Sequence, residues 1–373
     1  MKVDTFVRIL DCDFFTGVPD SQLKALCNYL MDRYGIDPKH HVIAANEGNC
    51  TALAAGYHLA TGKVPAVYLQ NSGEGNIINP VVSLMSEKVY AIPTIFIIGW
   101  RGEPGVEDEP QHVLQGEVTL SLLETIGIDY FIISNSTPES EMAEAMIAFK
   151  ERLKEGRNVA FVIRKNAFSD APNVRYHNNN TMIREEVIQK IVKVAGQDPI
   201  VSTTGKASRE LFETRVTNKQ SHKYDFLTVG SMGHCSSIAL SIAINKPHQR
   251  VWCIDGDGAV LMHMGSLALV GTIKPENMIH LVINNCAHET VGGMPTIAGS
   301  IDLVTIARAC GYSSAVRVSS YKELDRELAY AKSNRRLSFI EAMCAIGARN
   351  DLGRPTMSTV ESKRLFFEYL RSL

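Results

Sequence analysis

A chain of 373 residues is too long for one ordinary hydrophobic core, and its 45% hydrophobic and 21% charged residues are typical of a globular protein. The formal net charge of −2 argues against a general nucleic-acid binder, and no run of about eighteen apolar residues is present to cross a membrane. The first residues lack a signal-peptide core, and eight scattered cysteines form no C-x-x-C pair. We therefore expect a cytoplasmic protein with free thiols, without a disulfide framework or a zinc site.

Short β-branched runs alternate with helical patterns along the chain. The predicted strands lie at residues 41–45, 64–69, 94–99, 158–163, 199–204, 226–230, 250–255, 278–284 and 337–343. Stretches between them, such as 21–34 and 322–333, have the periodicity of amphipathic helices. This alternation predicts doubly wound α/β domains, with parallel sheets covered by helices on both faces.

A polar stretch at 168–182 separates two sets of predicted strands. It contains Pro172 and a run of three asparagines at 178–180, a composition typical of linkers. We therefore predict two domains, residues 1–170 and 182–373, joined by a linker at 171–181 and without a middle domain.

Acidic, glycine and amide residues follow two of the predicted strands. The run D-G-D-G at 255–258 ends one strand, and the pair N-N at 284–285 ends the next. Ligands of parallel α/β sheets bind at the carboxyl ends of strands, where glycine lets backbone N–H groups approach a phosphate. G-D-G alone is a common turn, but the spacing G-D-G-x25-N-N resembles the fingerprint of the thiamin-diphosphate enzymes.

The resemblance implies a cofactor site in the second domain, which would be the diphosphate-binding domain. Mg²⁺ would be held by the Asp257 carboxylate, the Asn285 amide oxygen and the backbone carbonyl of Ala287. Residues implied to contact thiamin diphosphate are Gly256, Gly258 and Ala259 here, and Ser231, Met232 and Gly233 in the turn at 230–234. Met232 matches the apolar residue that bends the cofactor in this family, although alone it reads as ordinary core.

Glu47 begins an amphipathic pattern at 46–63 in the first domain. This stretch resembles the glutamate helix of the pyrimidine-binding domain. The resemblance implies that Glu47 hydrogen-bonds the aminopyrimidine of the cofactor and so activates it. Considered alone, Glu47 would be a carboxylate favourably placed at a helix N-terminus.

Two further segments resemble parts of thiamin-dependent 2-oxo-acid decarboxylases. DEPQHVLQG at 108–116 resembles their histidine-bearing loop, which implies proton transfer by His112, with Gln111 in place of a first histidine. His288 and Glu289 follow the metal loop, where related enzymes carry an acid, but the spacing differs. We predict catalytic roles for Glu47, His112 and Glu289. The alternative for His112 is a loop histidine that has no catalytic role.

The layout without a middle domain is similar to that of the phosphonopyruvate decarboxylases and their relatives, the sulfopyruvate decarboxylases. Similar segments are spread along nearly the whole chain, at 14–24, 70–84, 99–112, 202–213, 285–296 and 347–356. The resemblance implies decarboxylation of 3-phosphonopyruvate to phosphonoacetaldehyde and CO₂ in phosphonate (2-aminoethylphosphonate) biosynthesis. Sulfopyruvate or another 2-oxo acid is the alternative substrate.

A phosphonate dianion should meet cationic side chains or turn N–H groups. Candidates are Arg101, Lys206, His288, and Asn71 and Ser72 of the NSGEGN turn, although each basic residue could equally be a solvated surface charge. The residue types do not distinguish phosphonate from sulfonate.

Two other classes of function fit less well. A nicotinamide oxidoreductase would need G-x-G-x-x-G after the first strand of a domain, and we find no clear example. A non-catalytic subunit would be expected to lose Glu47 or the metal ligands, and this chain keeps both. Glu47 and Asp257 lie in different predicted domains, and in this family those domains come from different subunits. We therefore expect a homo-oligomer, at least a dimer, with active sites at the subunit interface.

Overall fold

The computed structural model describes residues 1–373, and the chain forms two units, each built on its own six-stranded parallel sheet. The first unit comprises Met1–Arg175 with Val291–Met294, and the second comprises Tyr176–Thr290 with Pro295–Leu373. The prediction of doubly wound parallel-sheet domains is confirmed. None of the helices combines the length and the apolar character that crossing a bilayer requires.

The sheet of the first unit contains the chain's first six strands. They are Phe15–Gly17 (β1), His41–Ile43 (β2), Ala66–Gln70 (β3), Ile95–Gly99 (β4), Asp129–Ile133 (β5) and Val159–Ile163 (β6), in the order β2-β1-β3-β4-β6-β5. The helices are Val3–Leu10 (α1), Lys24–Tyr34 (α2), Glu47–Thr61 (α3), Glu74–Pro80 (α4), Pro110–Thr125 (α5) and Glu139–Lys154 (α6). Strands β4 and β6 are buried at every residue, as expected for central parallel strands covered on both faces.

The sheet of the second unit has the order β13-β14-β10-β9-β7-β8. The strands of this half are Ile200–Ser202 (β7), Asp225–Leu227 (β8), Val251–Gly256 (β9), Met278–Asn284 (β10), Ala287–His288 (β11), Met294–Pro295 (β12), Ser314–Val318 (β13) and Ser338–Met343 (β14). The helices are Arg184–Ala195 (α7), Lys206–Thr217 (α8), Cys235–Asn245 (α9), Asp257–Met262 (α10), Gly265–Ile273 (α11), Leu303–Cys310 (α12), Tyr321–Ser333 (α13) and Thr359–Ser372 (α14).

Three strands of the two sheets, β1, β5 and β13, were not predicted. β1 has only three residues, too few for a recognisable periodicity. β5 and β13 are edge strands, and most of their residues are only partly buried or exposed, so they lack the continuous apolar run of a central strand. The other two edge strands, β2 and β8, overlap predicted strands.

The asparagine run of the predicted linker is anchored to the second unit. Asn178 Nδ2 donates to the backbone oxygens of Asn285, at 2.9 Å, and Cys344, at 3.0 Å. Asn180 Nδ2 donates to the same Cys344 oxygen at 3.0 Å. These side chains satisfy carbonyl groups just beyond the carboxyl ends of β10 and β14, where the sheet ladder stops. The run therefore supports the loop after β10 and is more than a solvated spacer.

Candidate active site

The predicted metal ligands follow two adjacent strands of the second unit. β9 and β10 pair in parallel, with Gly256 opposite Ile283, so Asp257 and Asn284 leave the sheet at the same level. Backbone N–H groups of Gly258 and Asn285 hydrogen-bond the Asp257 carboxylate. The structure thus brings Asp257 and Asn285 together at one carboxyl edge, as the spacing predicted.

Asp257 is a buried carboxylate with one strong side-chain partner. Thr296 Oγ1 donates to Asp257 Oδ2 at 2.5 Å. Burial raises the pKa of Asp257 to about 6, and the bonds from Thr296 and the backbone partly oppose this rise. A bound cation would favour the ionised carboxylate, and the carboxylate of Asp257, the amide oxygen of Asn285 and the carbonyl oxygen of Ala287 are the kinds of ligand that Mg²⁺ prefers. Thr296 was not predicted, because nothing in its local sequence marks it.

Two glycines, Gly233 and Gly258, expose backbone without a side chain beside this loop. Gly233 has a φ of +90°, and a Cβ there would lie 2.8 Å from the backbone oxygen of Ala259. A Cβ at Gly258 would come within 3.2 Å of Met232 Cε. The turn before α9 and the start of α10 therefore pack closely enough that side chains at 233 and 258 would crowd the space, which fits backbone N–H groups presented to a diphosphate.

Two other predicted cofactor contacts, Ser231 and Gly256, lie next to Met232 and Asp257 in the same two segments. Ser231 is exposed and has a φ of +56°, a left-handed conformation that the tight turn imposes. A Cβ added to Gly256 would lie no closer than 3.9 Å to any neighbouring atom, so the space beside this residue is open. Both residues belong to the same edge of the sheet as Asp257, at the ends of the segments that lead into α9 and α10.

His288 and Glu289 lie in different electrostatic surroundings. The ring of His288 approaches Gly258, with Cε1 3.4 Å from the notional Cβ, and desolvation lowers the pKa of His288 to about 4. His288 is therefore neutral near pH 7. Glu289 accepts bonds from Arg184 and Lys206, so Lys206, a candidate for the phosphonate, already has an anionic partner.

Glu47 is buried at the first position of α3 in the first unit. Asn76 Nδ2 donates to Glu47 Oε2 at 2.6 Å, and a Cβ at Gly73 would collide with the same carboxylate. Burial raises the pKa of Glu47, and the bond from Asn76 opposes that rise. Asn76 and Gly73 belong to the NSGEGN turn, which the sequence had indicated as a substrate contact; the structure shows that this turn also supports Glu47.

The substrate candidates at the ends of β3 and β4 are extensively hydrogen-bonded to each other and to their neighbours. Asn71 Nδ2 donates to the backbone oxygen of Arg101 at 2.7 Å, and Asn71 Oδ1 accepts from the Arg101 backbone N–H at 3.1 Å. Ser72 is exposed and donates to Gln70 Oε1 at 2.7 Å. Arg101 Nε donates to Asp108 Oδ2 at 2.7 Å as part of a bidentate ion pair. The side chain of Asn71 therefore cross-links two loops, and the Arg101 charge is already neutralised.

His112 lies in the first turn of α5 with a buried, unsatisfied ring nitrogen. Its Nδ1 has no hydrogen-bond partner in the structure. Burial, followed by the nearby Arg101 charge, lowers the pKa of His112, while Asp108 opposes this. A neutral imidazole with a vacant, desolvated nitrogen is suited to exchanging a proton with a bound ligand.

Two buried carboxyl groups near the carboxyl ends of β1 and β3 were not predicted from the sequence. Asp20 follows β1, is fully buried, and accepts from Gln70 Nε2 at 2.5 Å; burial raises the pKa of Asp20. Glu74 is also fully buried, its Oε1 has no partner, and burial raises its pKa to about 9. Asp20 comes three residues after β1, which was not predicted, so no local signal marked it.

Both halves of the chain match models of one enzyme family. The model described as "Thiamine pyrophosphate enzyme, N-terminal TPP binding domain" matches residues 4–123, and "Thiamine pyrophosphate enzyme, C-terminal TPP binding domain" matches residues 203–342. The two matches include Glu47 and the loop from Asp257 to Ala287, respectively.

Similar proteins of known name extend over almost the whole chain. "Phosphonopyruvate decarboxylase" of Streptomyces viridochromogenes is 34% identical, over 94% of this chain and 89% of its own length. The enzyme of the same name from Streptomyces hygroscopicus is 32% identical, over 95% and 89%. "Sulfopyruvate decarboxylase" of Methanosarcina acetivorans is 26% identical, over 99% and 97%.

Proposed function

Because this chain belongs to the phosphonopyruvate decarboxylase family of thiamine pyrophosphate enzymes, we propose that it converts 3-phosphonopyruvate to phosphonoacetaldehyde and CO₂. The reaction would use thiamin diphosphate with Mg²⁺ and serve the biosynthesis of phosphonates such as 2-aminoethylphosphonate. The observation that carries the proposal is 34% identity over 94% of the chain. The burial of Glu47 and Asp257 at the two predicted cofactor contacts supports it.

The residues of the second unit would bind the charged end of the cofactor. When bound, thiamin diphosphate supplies the electron sink for the electron pair left behind by CO₂. Asp257, Asn285 and the Ala287 carbonyl would hold Mg²⁺ against the diphosphate, and the backbone at Gly233 and Gly258 would donate N–H groups to it.

The residues of the first unit would handle protons and the substrate. Glu47, whose pKa burial raises, would hold a proton between its carboxylate and the aminopyrimidine nitrogen of the cofactor. His112 would exchange a proton with the reacting substrate through its vacant Nδ1. Arg101, Ser72 and His288 are proposed to face the substrate, and the hydrogen bonds of Asn71 favour a supporting role for that residue.

We also propose a homo-oligomer, at least a dimer, with each active site shared between subunits. α3 and α5 of the first unit each expose large apolar side chains, and contiguous groups of such side chains mark interfaces. The exposed residues are Leu53 and Leu59 on α3 and Val113, Leu114 and Val118 on α5. Because α3 begins with Glu47, a partner packed on the exposed side of α3 would lie close to the proposed cofactor contact.

A shared site predicts complementation between two inactive variants. Chains with Glu47→Gln and chains with Asp257→Ala should both be inactive alone. A purified heterodimer of the two should recover activity at about half of its sites, because one site combines both intact residues and the other combines both lesions. Turnover of tagged, purified heteromers is the measurement. Heteromers that regain no activity, or a fully active monomer in analytical ultracentrifugation, would contradict the shared site.

The choice of substrate is tested by direct competition between 3-phosphonopyruvate and 3-sulfopyruvate. The phosphonate can carry one more negative charge than the sulfonate, and one additional charge-assisted hydrogen bond contributes roughly 1.5–3 kcal/mol. We therefore expect kcat/KM to favour phosphonopyruvate by about 10-fold to 100-fold. Both aldehydes can be quantified by NMR in one mixture.

Three controls make the competition decisive. Reactions without thiamin diphosphate, and reactions with EDTA, should give no aldehyde from either substrate. A preference for sulfopyruvate would assign the chain to the alternative activity. Absence of turnover of both acids, with cofactor and Mg²⁺ present, would reject the proposed decarboxylase function.

A further inference from the structure

Four charged side chains and one amide form a closed, mostly buried network in the second unit, which we call the Asn285 network. Its members are Arg184 on α7, Lys206 and Glu210 on α8, and Asn285 and Glu289 in the loop after β10. Arg184 donates to Glu210 from Nε and Nη2, both at 2.7 Å, and to Glu289 Oε2 from Nη1 at 2.8 Å. Lys206 Nζ lies 2.9 Å from Glu289 Oε1. Two cations thus balance two carboxylates.

The network determines which way the Asn285 amide points. Asn285 Nδ2 donates to Glu289 Oε2 at 2.8 Å, and Asn285 Oδ1 accepts the backbone N–H of Ala287 at 3.0 Å. A flipped amide would set Oδ1 against the carboxylate and Nδ2 against an N–H group, so both bonds would become repulsive. The observed orientation leaves one lone pair of Oδ1 for a further ligand.

Both oxygens of the Glu289 carboxylate are already engaged. Oε2 accepts from Arg184 and Asn285, and Oε1 accepts from Lys206. The side chains of Arg184 and Glu289 are each about 92% buried, and Glu289 Oε1 also lies 3.4 Å from Arg184 Nη2. Arg184, Lys206 and Asn285 therefore hold the carboxylate in place, as expected of a residue that orients a neighbouring metal ligand.

We propose that Glu289 is a positioning residue, which orients the metal ligand Asn285 and is itself held by Arg184 and Lys206. The inference rests on the proposed function and gives Glu289 a task other than the catalytic one that its sequence context suggested. Residues that hydrogen-bond a metal ligand without contacting the metal typically contribute a factor of about 10–100 to metal affinity. The network extends this support to helices α7 and α8, so the orientation of one amide depends on three separate segments.

The test is Glu289→Gln, with direct metal binding as the readout. A glutamine has one acceptor oxygen for the three donors, and its NH₂ group would face Arg184 or Lys206. Asn285 would then lose its fixed partner. Isothermal titration of Mg²⁺ into protein mixed with excess thiamin diphosphate should give an apparent dissociation constant for Mg²⁺ about 10–100-fold above that of the wild type. In assays, the Mg²⁺ requirement should rise by a similar factor, while kcat at saturating Mg²⁺ falls by less than tenfold.

Two further variants accompany this test. Glu213→Gln is the matched control, because Glu213 lies on the same helix α8 but pairs with Arg349 outside the Asn285 network; it should bind Mg²⁺ as the wild type does. Lys206→Met removes a partly exposed cation and leaves the Arg184 and Asn285 contacts to Glu289 in place. This variant should also weaken Mg²⁺ binding, but by a smaller factor than Glu289→Gln. It replaces Glu289→Gln as the test if that variant does not fold.

The outcomes separate the inference from the proposed function. Wild-type affinity for Mg²⁺ in Glu289→Gln, together with a loss of kcat at saturating Mg²⁺, would overturn the positioning role and support proton donation by Glu289. Wild-type affinity in Lys206→Met would overturn it as well, if that is the variant that folds. A wild-type protein that shows no Mg²⁺-dependent binding of thiamin diphosphate would instead reject the proposed function.

Discussion

Replacing Asp257 with alanine is expected to abolish activity through loss of the cofactor. Asp257 contributes the one carboxylate among the proposed Mg²⁺ ligands, and without it the diphosphate charge would have to enter a buried loop uncompensated. Removing one partner of a buried charge pair costs about 3–5 kcal/mol, which corresponds to a loss of affinity of roughly 10²–10³-fold or more. Binding of thiamin diphosphate in the presence of Mg²⁺ can be measured directly by calorimetry.

A matched control separates this effect from a change in net charge. Asp325→Ala removes a carboxylate from the same unit, but Asp325 lies on α13 in a surface pair with Lys190. Surface pairs contribute little, so this variant should bind the cofactor normally. Retention of wild-type cofactor affinity in folded Asp257→Ala would show that Asp257 is not the metal ligand.

Replacing Glu47 with glutamine is expected to preserve cofactor binding and to slow cofactor activation. The diphosphate end would still be held by the second unit, and glutamine keeps the volume of the side chain and an acceptor for Asn76. It lacks a group that can take up or release a proton, and positioned general acid–base groups typically contribute about 10²–10⁴-fold to rate. Proton exchange at C2 of the bound cofactor should slow by that factor, which rapid quench followed by NMR would measure.

Glu144→Gln provides the control for Glu47→Gln. Glu144 is an exposed glutamate on α6 of the same unit, and its variant should exchange the cofactor proton at the wild-type rate. If Glu47→Gln also exchanges at the wild-type rate, Glu47 serves only as a buried residue at the start of α3. A folded variant that fails to bind the cofactor at all would instead assign Glu47 to binding.

Local sequence was sufficient to predict the fold class and to indicate candidate residues for the two ends of the cofactor site. Central parallel strands are continuous apolar runs, and each ends where the chain turns at glycine, asparagine or acid, so β9 and β10 could be recognised without any knowledge of their neighbours. Parallel pairing of successive strands then brings Asp257 and Asn285 to one edge of the sheet. Glu47 was indicated by the resemblance of residues 46–63 to the glutamate helix of the pyrimidine-binding domain, because its position alone fits an ordinary helix N-terminus.

The partners that determine what these residues do were decided by the tertiary structure. Asn76 lies 29 residues from Glu47, Thr296 lies 39 residues from Asp257, and Arg184 lies 105 residues from Glu289. No periodicity or motif in the sequence links these three pairs, because only the folded sheet and its covering helices bring them within hydrogen-bonding distance. Burial acts in the same way: it raises the pKa of Glu74 to about 9, although its neighbours in the chain are glycines. The sequence therefore determined which residue types reach the edge of each sheet. Packing decided the direction of their pKa shifts, the orientation of their side chains and the charged groups with which they pair.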